Sequence, residues 1–201
     1  REGSVVLVDF PGFNWWIARK AKKLGIRVIY YLPPQLWAWA PWRIQRVRRF
    51  VDHVLCGLSF EHRWYEEQGV SAEYVGHPFF DEIQEHCLDK AFLEVWNTSD
   101  QRNVGVVPGS RNHEIAQNWP IMVACIRRLA AGHPNTRFLV SCYSETHREQ
   151  CRHLLHKANE HGPALPIHFF VGKTPEIIQV ADCCLMVSGS VSLEMLARTT
   201  P

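Results

Sequence analysis

Short apolar runs and longer amphipathic stretches take turns along this chain almost without interruption. Val5–Val8, Arg27–Tyr31, His53–Cys56 and Glu73–Val75 are short, rich in β-branched or aromatic residues and bounded by turn residues, so they read as strands. Between them the pattern predicts a helix capped by Asn14 and running to Leu24, and further helices over Arg43–Phe50 and Phe60–Gln68. Gly25 and Gly69 are placed to terminate the first and the last of these. Leu32–Trp42 reads as an aromatic loop, and Gln84–Gln101, polar and poorly periodic, as a linker with some helix. The alternation then resumes. Strands are expected at Val104–Val107, Arg137–Ser141, Ile167–Val171 and Cys183–Val187, and helices at Arg111–Ala131, Glu145–Glu160, Pro175–Val180 and Ser192–Arg198. Pro120 lies inside the longest helix and predicts a kink or a break, because proline has no amide hydrogen to donate. Strict alternation of this kind is the signature of an α/β protein with parallel sheets. The division expected is a first Rossmann-like part over 1–84, a linker over 85–101 and a second Rossmann-like part over 102–201. Such halves bind ligands at the carboxyl ends of their strands, in the cleft between them.

Three turns stand at such strand ends. Pro108-Gly109-Ser110-Arg111 breaks a valine run and leads into a helix, with Ser110 as the expected N-cap and Glu114 in the first turn. Unpaired amide groups and the helix dipole then point at one place, an arrangement suited to phosphate or diphosphate, and Arg111 adds a planar cationic fork. An ordinary strand–helix connection with a surface arginine fits the same residues. Ser188-Gly189-Ser190 offers hydroxyl and amide groups, and Glu194 one helical turn onward is spaced either to accept hydrogen bonds from ribose hydroxyls or to be a plain surface residue. Asp9 ends the first strand and could take a proton from a hydroxyl nucleophile, or could bond only its own turn. Around Trp37, Trp39, Trp42, Arg43, Arg46, Arg48 and Arg49, aromatic and cationic residues interleave. That mixture suits an anionic lipid surface, with Trp15 and Trp16 joining it, or equally a packed core with a solvated basic face.

Composition narrows the choice. The 201 residues, 46% of them apolar, can bury a substantial core, and a net charge of +2 gives no electrostatic case for nucleic acid. No run of 18 apolar residues appears, so no membrane-spanning helix is expected. The seven cysteines are odd in number, contain no C-x-x-C and read as reduced cytoplasmic thiols. His153 and His156 share a helix face but have no partner at metal-ligand spacing, so no metal site is expected. The first residues, Arg1-Glu2-Gly3-Ser4, carry no initiator methionine, and Thr199-Thr200-Pro201 stops where another strand is due. The expectation is a fragment cut at both ends, its first domain incomplete.

Taken in order, Asp9-Phe-Pro-Gly-Phe-Asn14, Trp37-Ala-Trp39, Phe60-Glu61, Val75-Gly-His-Pro78, Pro108-Gly-Ser-Arg111 with Glu114, and Ser188-Gly-Ser190 with Leu193-Glu194 resemble the lipid-A-disaccharide synthase family. The resemblance implies a two-domain glycosyltransferase of the B type. Such an enzyme moves 2,3-diacylglucosamine from its UDP donor to 2,3-diacylglucosamine 1-phosphate with inversion and forms a β-1,6-linked disaccharide. It implies no cofactor, since the UDP-sugar is a substrate, and no metal. It implies Asp9 and Arg111 as catalytic residues. Gly109, Ser110, Glu114, Ser188, Gly189, Ser190 and Glu194 fall on the donor side, and Asn14, Trp37, Trp39 and Arg43 on the acceptor and membrane side. It further implies a place on the cytoplasmic face of the inner membrane and a homodimer for the full-length protein. Two other readings stay open on the residues alone. One is another UDP-N-acetylglucosamine enzyme, a 2-epimerase or an N-acetylglucosaminyltransferase. The other is a non-catalytic nucleotide-sugar or lipid-binding fragment.

Overall fold

In the computed structural model, which describes residues 3–98, 100–158 and 162–201, each expected strand is present and each pairs in parallel. The chain divides into two units, Arg1–Glu82 and Ile83–Pro201. The first holds strands β1 (Ser4–Val8), β2 (Arg27–Tyr31), β3 (His53–Cys56) and β4 (Ala72–Tyr74), arranged β1-β2-β3-β4. Helices α1 (Pro11–Lys23), α2 (Leu36–Trp39), α3 (Ile44–Phe50) and α4 (Ser59–Glu67) accompany them, and α5 (Pro78–Glu85) runs across the division. Leu7, Val28, Tyr30 and Val54 from the sheet meet Trp15, Ala18, Leu36, Val47 and Tyr65 from the helices in one buried cluster. On β1 the alternate residues Val6 and Val8 remain exposed.

The second unit comprises α6 (Lys90–Trp96), β5 (Arg102–Val107), α7 (Asn112–Gly132), β6 (Thr136–Cys142), α8 (Glu145–Ala158), β7 (Ile167–Val171), α9 (Thr174–Val180), β8 (Cys183–Met186) and α10 (Val191–Arg198). Its sheet order is β7-β6-β5-β8, so the winding reverses between β5 and β8. Both faces of this sheet are covered. Phe138 and Val140 of β6 pack with Ile115, Trp119 and Ile126 of α7, whereas Leu139 between them packs with Phe92 of α6 and with Ile177 and Val180 of α9. The period-2 alternation of a strand therefore feeds two separate cores. Among the described residues no helix is long and apolar enough to cross a membrane.

Four expectations are corrected here. The stretch 85–101, read as a linker with some helix, does hold a helix, but that helix, α6, belongs to the core of the second unit. Asn103 explains this: its buried amide donates to the carbonyls of Trp96 (2.7 Å) and Val180 (2.9 Å). Arg137 lies over the Trp96 ring at 4.7 Å, and Lys173 reaches Asp89 at 2.7 Å. The expected aromatic loop contains the single turn α2, followed by a 3₁₀ turn over Pro41–Arg43. Asn14 does not cap a helix, because α1 begins earlier, at Pro11. Finally, of the kink or break expected at Pro120, the break does not occur: α7 runs on through it. One lost amide bond, worth roughly 3 kcal/mol, is outweighed by the burial of Trp119, Met122, Val123 and Ile126, and Trp119 also donates to the Cys151 carbonyl at 2.8 Å. The helix expected to reach Glu160 is described as far as Ala158, and Glu160 lies outside the described residues.

Candidate functional site

At the point where the second sheet reverses, the carboxyl ends of β5 and β8 lie side by side, with Val107 opposite Met186. Such a switch point opens a crevice by construction, since the connections from the two strands leave to opposite faces. The crevice here is a pocket of about 270 Å³ lined by the turn before α7, the turn before α10, and side chains from β6 and α9. Gly109, Ser110, Arg111, Glu114, Ser188, Gly189 and Ser190 all line it. The structure thus brings together two turns that are about eighty residues apart in the sequence.

The first turn is built around Glu114. Gly109 has φ +123°, and a Cβ at that position would come within 2.8 Å of the Glu114 carboxylate, so only glycine fits. Glu114 Oε2 accepts from the amides of Ser110 (3.1 Å) and Arg111 (3.2 Å), and its Oε1 accepts from Arg111 Nη1 (2.8 Å). The N-cap of α7 is accordingly Arg111 in extended conformation, not Ser110. The amide groups expected to be unpaired are in fact held by an internal carboxylate. The Ser110 amide first, and then the Arg111 guanidinium and amide, keep the Glu114 carboxyl below the usual glutamate range. The Arg111 side chain is 71% exposed and spends one N–H on Glu114, leaving the rest of its fork to the pocket.

The second turn is more open. Around Gly189 there is room for a side chain, and the carbonyls of Gly189 and Ser190 accept from Ser192 and Leu193 as α10 starts. No side-chain hydrogen bond caps α10, whose N-terminal end carries the positive end of the helix dipole, and Glu194 lies in its first turn. Glu194 does not line the pocket. It is 7% exposed and accepts from Arg198 Nε at 3.1 Å on the same helix, and Arg198 also reaches Gln179. The plain-surface reading of Glu194 is corrected, because the residue is buried and an i, i+4 partner engages its carboxylate inside the unit.

Three lining residues carried no signal in the sequence. Ser141 at the end of β6 and Thr174 at the start of α9 share a 2.6 Å hydroxyl–hydroxyl hydrogen bond. Tyr143 stands exposed beside them, its ring 6.1 Å from that of His147. Only the strand order β7-β6-β5-β8 places β6 and α9 next to the switch point, so no local motif could have revealed them.

In the first unit Asp9 lies just past β1 with φ +48°, a left-handed conformation that a short polar residue tolerates. The Tyr30 hydroxyl donates to the Asp9 carbonyl at 2.7 Å, and Asn14 Nδ2 donates to the carbonyls of Val8 (2.9 Å) and Asp9 (3.3 Å). Burial pushes the Tyr30 phenol up, which keeps it a donor. Asn14 is therefore a brace for the Asp9 backbone. The exposed Asp9 carboxylate makes no hydrogen bond among the described residues, so it does not bond its own turn. Trp37 donates to the buried Glu61 carboxylate at 2.9 Å and meets Phe60 edge-on, which makes it a packed residue and not a free surface one. Trp39 is exposed and carries the Arg43 guanidinium 4.9 Å from its ring centre.

Residues 2–201 match the family model described as lipid-A-disaccharide synthetase. The lipid-A-disaccharide synthase of Anaeromyxobacter sp. (strain K) is 35% identical over 196 residues, covering 96% of this chain and 50% of that protein. The Myxococcus xanthus enzyme of the same name is 36% identical over 190 residues, covering 94% and 48%. The chain thus spans about half the length of the curated relatives it matches. Among solved structures, a UDP-N-acetylglucosamine 2-epimerase from Listeria monocytogenes, itself described as putative, superposes with a TM-score of 0.65 at 11% identity over 98% of this chain and 55% of that one. At that identity the likeness is one of fold alone. The fold is the α/β, parallel-sheet class of B-type glycosyltransferases.

Proposed function

The chain belongs to the lipid-A-disaccharide synthetase family, and on that premise we propose that it serves an inverting transfer of 2,3-diacylglucosamine from its UDP donor to 2,3-diacylglucosamine 1-phosphate. The observation that carries this reading is the convergence of the Pro108–Glu114 and Ser188–Ser190 turns on one pocket at a topological switch point, with an exposed guanidinium at its edge. The donor diphosphate is held by Arg111 and by the uncapped start of α10, where amide donors and the helix dipole favour negative charge. Asp9, whose carboxylate makes no hydrogen bond among the described residues, takes the proton from the 6-hydroxyl of the acceptor. The acceptor oxygen then forms its bond to C1 of the donor sugar. The C1–O bond to phosphate breaks with its electron pair, and UDP leaves with the added charge stabilised by Arg111. No metal takes part in this scheme. Trp39, Arg43 and the basic face of α3 rest on the cytoplasmic side of the inner membrane, where both acylated sugars reside. A homodimer of the full-length protein belongs to the same reading.

The test is a reconstituted assay of the full-length protein with both acylated sugars in detergent micelles. The expected result is release of UDP that depends on the acceptor, together with a β-1,6-linked disaccharide. Acceptor-independent conversion of UDP-N-acetylglucosamine to its 2-epimer, with no disaccharide, would overturn the assignment.

A further inference from the structure

The first unit carries a built groove that the transfer scheme does not use. Trp15, Trp16, Arg19, Arg46 and Phe50 line it, the first three from α1 and the others from α3. Arg19 follows Trp15 and Trp16 by four and three residues, and Phe50 follows Arg46 by four. The groove is therefore the meeting of one face from each helix. It continues past Arg19 and Phe50 toward Lys23 and Arg49. No carboxylate lines either stretch. Lys22, at the far end, is already engaged by Asp52 at 2.6 Å. Arg19 and Arg46 make no hydrogen bond or ion pair among the described residues, so two guanidinium groups share one groove without a counter-charge.

Trp15 supplies an independent sign of a missing partner. Its ring is buried and packs edge-on against Tyr30 at 5.8 Å, yet its indole Nε1–H has no acceptor among the described residues. Buried polar groups are nearly always hydrogen-bonded, and the exceptions call for an explanation. Beside it Trp16 is 71% exposed, an apolar plate next to two cations. The two guanidinium groups ask for an oxyanion, preferably phosphate, which their planar forks match. The aromatic walls ask for a hydrocarbon body attached to that anion. Free phosphate satisfies only the first of these demands.

We propose that the α1–α3 groove is a headgroup site for an anionic phospholipid, its phosphate between Arg19 and Arg46 and its proximal acyl carbons against Trp16 and Phe50. This deepens the membrane-facing reading above and rests on it. It replaces diffuse attraction with one stoichiometric site.

The test uses the full chain, labelled with ¹⁵N in its indoles, with Trp15→Phe identifying the Trp15 signal. Titration with dihexanoylphosphatidylglycerol is expected to shift that signal. Equal concentrations of inorganic phosphate or dihexanoylphosphatidylcholine are expected to leave it in place. Arg19→Gln with Arg46→Gln should abolish the shift while the backbone amide spectrum stays that of a folded protein. The same double variant should weaken binding to phosphatidylglycerol vesicles about 30-fold, from roughly 1 kcal/mol per basic group and tenfold per 1.4 kcal/mol. Lys20→Gln with Arg27→Gln removes equal charge outside the groove and should weaken binding by no more than a few-fold. If the two double variants lose equally, the discrete site is wrong and diffuse attachment stands. A wild type that ignores phosphatidylglycerol vesicles would sink both. A Trp15 shift with inorganic phosphate as large as with the lipid would overturn the lipid assignment.

Discussion

Replacing Arg111 with alanine tests the proposed chemistry where it is most exposed to failure. Negative charge grows on the departing phosphate oxygen as the sugar bond breaks, and only interactions that strengthen at that moment raise kcat. Loss of one preorganised charge stabiliser lowers kcat by roughly 10²–10³-fold, about 2.7–4 kcal/mol. Two features of the structure pull Arg111 toward the lower end of that range. Its side chain is 71% exposed, so water screens part of its field, and Glu114 at 2.8 Å already offsets part of its charge. The expected fall is therefore about 10²-fold at saturating donor. Arg111→Lys should recover part of it, because a point charge lacks the planar fork. The assay is single-turnover chemical quench of the full-length protein with saturating UDP-2,3-diacylglucosamine, with and without EDTA. An Arg111→Ala enzyme with unchanged kcat, or one altered only in KM, would refute the transition-state role. A wild type inactivated by EDTA would refute the metal-free scheme.

Asp9→Asn should lower turnover by about 10²–10⁴-fold, the range for a general base, with UDP affinity by calorimetry unchanged; near-normal turnover would remove Asp9 from the chemistry. Glu114 is held below the usual glutamate range, so the stability it lends the turn is fully present above its unfolded pKa. That stability is lost as pH falls through the lower folded value. The Ser110 and Arg111 amide resonances should therefore titrate with a midpoint below that of an ordinary glutamate, and a midpoint at or above it would contradict the hydrogen bonds described. Glu194→Ala leaves Arg198, which is equally buried in the pair, with Gln179 but no counter-charge, and should destabilise the protein by about 3 kcal/mol in denaturant unfolding. A change within the error of the method would show that the pair is solvated.

The sequence alone determined the strand and helix alternation, because parallel strands buried on both faces are short unbroken apolar runs, as Val104–Val107 illustrates. It determined the two turns as well. Gly109 and Gly189 punctuate apolar runs, and the ordered motifs mark the family. Tertiary structure decided which polar groups those turns leave free. Glu114 occupies the Ser110 and Arg111 amides, and Arg198 claims Glu194, through side-chain contacts that helical spacing permits but does not compel. The fate of 85–101 was likewise settled at a distance. Its weak periodicity reflects a short helix whose apolar residues Phe92 and Trp96 meet Phe170, far along the chain, while buried Asn103 ties its end to Val180. The pocket residues Ser141, Tyr143 and Thr174 depend on strand order in the same way. Local sequence encodes local backbone preference and periodic burial. Pairings between side chains that only the assembled sheet brings together leave no periodic trace in it.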